Sequence, residues 1–163
     1  MTQQPLTVGD RRVRLLLLVG GTLAFGLLFG LSLLAVVLSF VGMLVVHELG
    51  HFLVARRTGM QVTEFFIGFG PRVWSVHRGE TEYGVKAIPA GAYVRVTGMT
   101  NLDEVDPALE HRTYRHQSYP KRIALAVAGS GMQFLFAVVL LVAIFIGMGR
   151  PDADDWTVRS VVP

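Results

Sequence analysis

Apolar residues run almost unbroken from Leu15 to Val46, and again from Ile123 to Gly149, with no charged side chain in either stretch. Each exceeds the ~20 apolar residues that carry a helix across a hydrocarbon core of ~30 Å. The pattern predicts helices that cross a membrane. With His47-Glu-Leu-Gly-His51 included, the first stretch continues to Ala55 and is 41 residues long. A single helix of that length would measure about 60 Å. The region therefore holds either two linked spans broken near Gly30–Ser32, or one span with a helical extension.

The middle of the chain changes period. "PRVWSVHRGETEYGVKAI" reads as two strands around a turn at His77–Glu80, and "GAYVRVTG" alternates like a third strand. Ahead of them, "EFFIGFGP" is apolar, aromatic and glycine-rich. One reading is a small hairpin with a buried aromatic end. The other is a sheet that dips into the membrane boundary beside the histidines, which would require a protein wall or a water-filled cavity. The chain thus divides into an N-terminal arm (1–14), an apolar region with one or two spans (15–55), a reentrant β segment (56–98), a polar linker with a short helix (99–122), a span (123–149) and the start of a further domain (150–163). The expected fold is a mainly α-helical membrane protein with a small membrane-associated β-sheet between its core spans.

Composition agrees: 52% of residues are hydrophobic and the mean hydropathy is +0.49, too apolar for an ordinary soluble domain. There is no cysteine, so a metal site must use His, Asp or Glu. The pI of 9.7 does not indicate nucleic acid, because the basic residues flank the spans. Ten of the 15 Lys and Arg residues lie in Arg56–Arg122. That places HELGH and 56–122 on the cytoplasmic side of a multi-pass cell-membrane protein, with the C-terminus extracytoplasmic. Arg11, Arg12 and Arg14 also favour the cytoplasm, and with it two spans before Arg56. Met1–Arg14 resembles the start of a signal peptide, but the apolar run after it is too long and shows no clear cleavage site.

Chemistry concentrates in "HELGH". Four residues on a helix turn through about 400°, so His47 and His51 project from one face and can offer one nitrogen each to a shared ion. Glu48, about 100° round, can take a proton from a water beside that ion without being a ligand. Zinc suits such a site. A lone helical histidine is usually structural, but three ionisable groups inside a span are costly unless they are paired, which makes them functional candidates. Gly50 is expected to keep this face open.

These motifs resemble the site-2 protease family of intramembrane zinc metalloproteases, particularly its actinobacterial type. "HELGHFLVARRTGM" is similar to the first core span, and "FIGFGPRVWS" with "GETEYGVKAIPAGAYVRVTGM" to the reentrant β segment. "YPKRIALAVAGSGMQF" is similar to the entry of the second core span, and "DWTVRSVVP" to the first strand of a PDZ domain. The resemblance implies zinc ligands at His47 and His51 and a general base at Glu48. It implies cleavage of single-span membrane proteins such as anti-sigma factors. Gly91 to Val96, Tyr93 among them, would receive the substrate as an added strand, with Gln133 as a further substrate-binding residue. It also implies a third ligand from an Asp in a later LDG span, which this chain ends before. Asp103, Asp106 and Asp152 lie in the wrong context, and Glu64 is a remote candidate. Ser130 and Gln133 stand where the family usually has Pro and Asn. The alternative is a non-catalytic membrane module that binds metal or a single-span partner. A third possibility, a proton-relaying transport component, is disfavoured by the spacing and the downstream motifs.

Overall fold

The structure is a computed structural model that describes residues 8–100 and 102–148. The expected start of a PDZ-like domain at 150–163 lies outside them. The order is α1 (Val8–Phe29), α2 (Leu31–Arg57), β1 (Val62–Arg78), β2 (Thr81–Val96), a 3-10 helix (Pro107–Arg112) and α3 (Tyr119–Met148). All three α-helices are long and apolar enough to cross a membrane. Large apolar side chains along them, such as Leu27, Phe134 and Ile146, stand exposed, a surface that lipid covers without cost.

The first apolar stretch breaks at Gly30. Its φ of 92° lies where a side chain would strain the backbone. The backbone bonds run on through the break, from Gly30 N–H to the Gly26 carbonyl (3.0 Å) and from Leu34 N–H to the Gly30 carbonyl (3.2 Å). Beyond it the chain folds back, so that residues 17–25 face 34–41 across an apolar groove of about 600 Å³. The helix α1 already includes the second half of the expected N-terminal arm, and there Arg14 donates to the Arg72 carbonyl at 2.7 Å.

The two strands are long and bent, so each lies beside the other more than once. Residues 62–67 of β1 pair with 92–96 (Phe65↔Val94, Phe66↔Tyr93) and also with 82–85 (Phe65↔Tyr83, Phe66↔Gly84). Residues 82–85 pair again with 74–77. The separate third strand expected over "GAYVRVTG" is therefore the far end of β2, and "EFFIGFGP" belongs to β1. Gly68 permits the bend. Its φ is +87°, and a Cβ there would stand 2.6 Å from the Ile88 carbonyl oxygen.

The core lies where α2, the sheet and α3 meet. Phe52, Ala55, Met60, Val62, Val96 and Leu125 are buried together. Phe52 meets Phe65 and Tyr83 edge-on, with centroids 5.3 and 5.7 Å away. Each large apolar side chain buried this way contributes roughly 1.5–3 kcal/mol. Since Phe52 follows His51 directly, this cluster fixes the rotation of the HELGH turn.

α3 begins at Tyr119, four residues inside the expected linker, with Pro120 in its first turn, where a missing N–H costs nothing. Lys121 donates to the Thr58 carbonyl at 3.1 Å, joining the start of α3 to the end of α2. Arg112 clamps the 3-10 helix to the hairpin tip through two bonds to Glu80, of 2.7 and 2.6 Å. The Arg112 bond holds the Glu80 carboxyl below its usual value of 4.5. A carboxyl lowered on folding contributes stability above its unfolded pKa and loses it as pH falls through the folded one. Glu80→Gln should therefore lower stability at pH 7 by the small amount expected of an exposed pair, under about 1 kcal/mol, read as a small drop in melting temperature. The difference from wild type should vanish well below pH 4.5. Equal melting temperatures at pH 7 would show that the clamp adds nothing.

Candidate metal centre

The helices α2 and α3 cross at two glycines. A Cβ on Gly50 would stand 2.8 Å from Met132 Cβ and closer still to the Ala128 carbonyl. Gly50 therefore does not keep a face open, as its place beside the histidines suggested. It is buried, and it lets the two backbones approach, as small residues do between membrane helices.

The close crossing brings both imidazoles against α3, with ring centroids 4.9 Å apart and planes at 71°. His51 Nδ1 lies 2.8 Å from the Leu125 carbonyl oxygen, and His47 Nδ1 lies 3.1 Å from Gln133 Oε1. A carbonyl oxygen only accepts, so each Nδ1 is the donor, and in a neutral ring each Nε2 then offers a bare lone pair. These two nitrogens face one another at 3.1 Å. Two lone pairs at that distance repel unless a cation lies between them. Zinc–nitrogen bonds of about 2.0–2.1 Å at ordinary angles would hold the nitrogens about 3.0–3.4 Å apart.

Gly129 keeps any side chain out of the space beside these nitrogens. A Cβ built on Gly129 would lie 2.6 Å from His51 Nε2 and nearer still to His47 Nε2. The missing side chain leaves a cradle between the two lone pairs. The donor set and the separation of the two nitrogens both fit zinc. Among the described residues, no third His, Cys, Asp or Glu joins the pair. Glu64 is held on the sheet by Tyr93 and Arg95, Asp103 accepts from Thr100 N–H, and Asp106 caps the 3-10 helix at Ala108. Asp152 lies outside the described residues.

Glu48 and His51 line a pocket of about 260 Å³ closed by Val94, Val96 and Met99. At ~30 Å³ per molecule, it has space for several waters. Among the described residues, no group hydrogen-bonds the Glu48 carboxylate. The 92–96 stretch pairs with β1 along one edge only, and it is this stretch that walls the pocket.

The other expected site residues are more dispersed. Gly91 is buried at φ +147°, where a Cβ would meet the Phe69 ring at 3.1 Å and Leu44 at 3.6 Å. It thereby lets β2 pass close to α2 one turn ahead of His47. Tyr93 does not line the Glu48 pocket. Its hydroxyl donates to Glu64, and its ring stacks on Phe66 and Phe69 and lies under the Lys86 ammonium. Burial first, and the Glu64 bond second, push the phenol well above its usual range, so it remains a donor. Gln133 points its amide oxygen at a histidine. The sequence reading missed Gly129 and the Leu125 carbonyl. The signal available was the run of small residues Ala128–Gly131 inside an otherwise bulky span.

A profile of peptidase family M50 matches residues 14–158. The zinc metalloprotease Rip1 of Mycobacterium tuberculosis is 47% identical over 116 residues, 71% of this chain and 28% of the relative. Rip1 of Mycolicibacterium smegmatis is 42% identical over 141 residues, 83% of this chain and 34% of the relative. The protease RseP of Yersinia pestis is 39% identical over 134 residues, 80% of this chain and 30% of the relative. This chain thus spans about a third or less of the length of these relatives. The match over nearly all of its residues places the chain in peptidase family M50, the site-2 protease family.

Proposed function

We propose that the full-length protein is an intramembrane zinc metalloendopeptidase that cleaves single-span membrane proteins, with anti-sigma factors as the expected substrate class. One observation carries this reading: the two Nε2 atoms face each other at 3.1 Å where Gly129 presents no side chain, with Glu48 in the adjoining pocket. His47 and His51 would hold the zinc, and a third protein ligand from outside the described residues would complete a catalytic set. When bound, zinc supplies a Lewis acid that acidifies water and polarises a carbonyl. Glu48 takes the proton from the attacking water and later passes it to the leaving amine. The free edge at 92–96 receives the substrate as an extended strand, which exposes a peptide bond that a helix would shield. The fold-back at Gly30 and the junction of Lys121 with Thr58 support a cytoplasmic side for Arg56–Arg122 and for the arginines at the start of α1. Residues 150–163 would open a PDZ-like domain on the other side.

The test uses the full-length protein in membranes with a single-span reporter. Cleavage should require zinc, stop with a chelator, and be lost together with bound zinc in His47→Ala. Cleavage that survives both treatments would sink the proposal. The presence of only two ligands among the described residues favours one other reading, a metal-binding module that does not cut. Zinc at full occupancy with no cleavage of any single-span reporter would establish that module.

A further inference from the structure

We propose that Gln133 is a positioning residue that sets the tautomer of His47 and so makes the metal centre competent. This rests on the zinc reading above. Each histidine can offer the ion its Nε2 only if the ring proton sits on Nδ1. His51 has its Nδ1 partner in the Leu125 carbonyl, a backbone group that no substitution removes. His47 depends on a side chain, the Gln133 amide oxygen at 3.1 Å. The difference follows from the geometry of α3. Leu125, Gly129 and Gln133 are spaced four apart and form one stripe along the helix. The first supplies an acceptor for His51, the second leaves the ion's seat, and the third supplies an acceptor for His47.

The orientation of the amide decides the outcome. With Oε1 toward the ring, the proton stays on Nδ1 and Nε2 faces the cradle bare. Were the NH2 group turned to the ring, it would donate to Nδ1. The imidazole proton would then move to Nε2, into the seat itself, and block the site. Gln133 thus acts through His47. A direct substrate role would need the amide N–H, whereas this role needs only the oxygen. That difference separates the two by experiment.

The test compares Gln133→Glu, Gln133→Leu and Gln133→Met in the full-length protein in detergent. Zinc affinity is read by chelator competition, and ligand geometry by the visible spectrum of the cobalt-substituted protein. Leu offers no acceptor and Met only a weak thioether sulfur, and both suit an apolar span, so both should weaken zinc binding by roughly 10–100-fold. Both should also lose the tetrahedral cobalt bands. Glu keeps an acceptor oxygen and lacks the amide N–H, so it should stay within a few-fold of wild type and keep the bands. Zinc held as tightly by both Leu and Met as by wild type would overturn the proposal. So would a Glu variant as weak as they are, because that result would assign the work to the N–H. A His47→Ala control that binds zinc normally would remove the metal reading instead.

Discussion

Gly129→Ala should empty the metal centre without harming the helix that carries it. Alanine is the better helix former by about 1 kcal/mol, so α3 has no local reason to unwind. The added methyl, however, would stand 2.6 Å from His51 Nε2 and nearer to His47 Nε2, a separation that no settled Cβ contact shows. Either the methyl occupies the ion's seat, or α3 withdraws and takes Gln133 and the Leu125 carbonyl away from the rings. Both routes lead to the same reading, a loss of zinc affinity of at least about 100-fold, given that outer-shell partners alone account for 10–100-fold. Gly131→Ala is the matched control. It lies on the same helix with nothing within 4 Å of the new Cβ, and it should bind zinc normally. Metal analysis of the two purified proteins after dialysis is sufficient. A Gly129→Ala protein that keeps a full equivalent of zinc would show that the cradle is not where the ion sits.

Glu48→Gln should do the reverse, sparing zinc and removing catalysis. Glu48 lines the pocket next to His51, and the proposed role as a base needs a carboxylate. Glutamine has nearly the same shape and cannot take a proton. The proposed zinc ligands, His47 and His51, are untouched, so metal content should equal that of wild type. Cleavage of a single-span reporter should drop by roughly 10²–10⁴-fold. Full-rate cleavage by this variant would remove Glu48 from the mechanism. Taken together, the two variants separate holding the ion from using it.

What could be read in advance follows the range of the physics involved. The HELGH spacing was legible because the turn of a helix is local: four residues fix one face, whatever surrounds it. The long apolar helices were legible because composition alone selects lipid, and the break between α1 and α2 falls at Gly30, within the Gly30–Ser32 window. The partners of that face were not legible. Gly129 and Gln133 lie about 80 residues from His47, and only the packing of two helices makes them neighbours. Gly50 was misread for the same reason: a glycine beside a site can open space or close it, and Ala128 and Met132 fill the space in question. In the sheet, alternation located the β residues from Pro71 onward but not the first part of β1, nor the bends that pair 62–67 with two stretches of β2.

The stripe Leu125–Gly129–Gln133 sets a strict condition on the length of α3. Three separate duties fall on positions one helical turn apart, and each is defined by its phase around the axis. Inserting or deleting a single residue between Leu125 and Gln133 would swing Gln133 about 100° off the stripe that Leu125 defines. The outward-facing residues of the span can exchange one apolar side chain for another with little consequence. Within the nine positions from Leu125 to Gln133, side chains that face away from the histidines can vary, but Gly129, Gln133 and the count cannot.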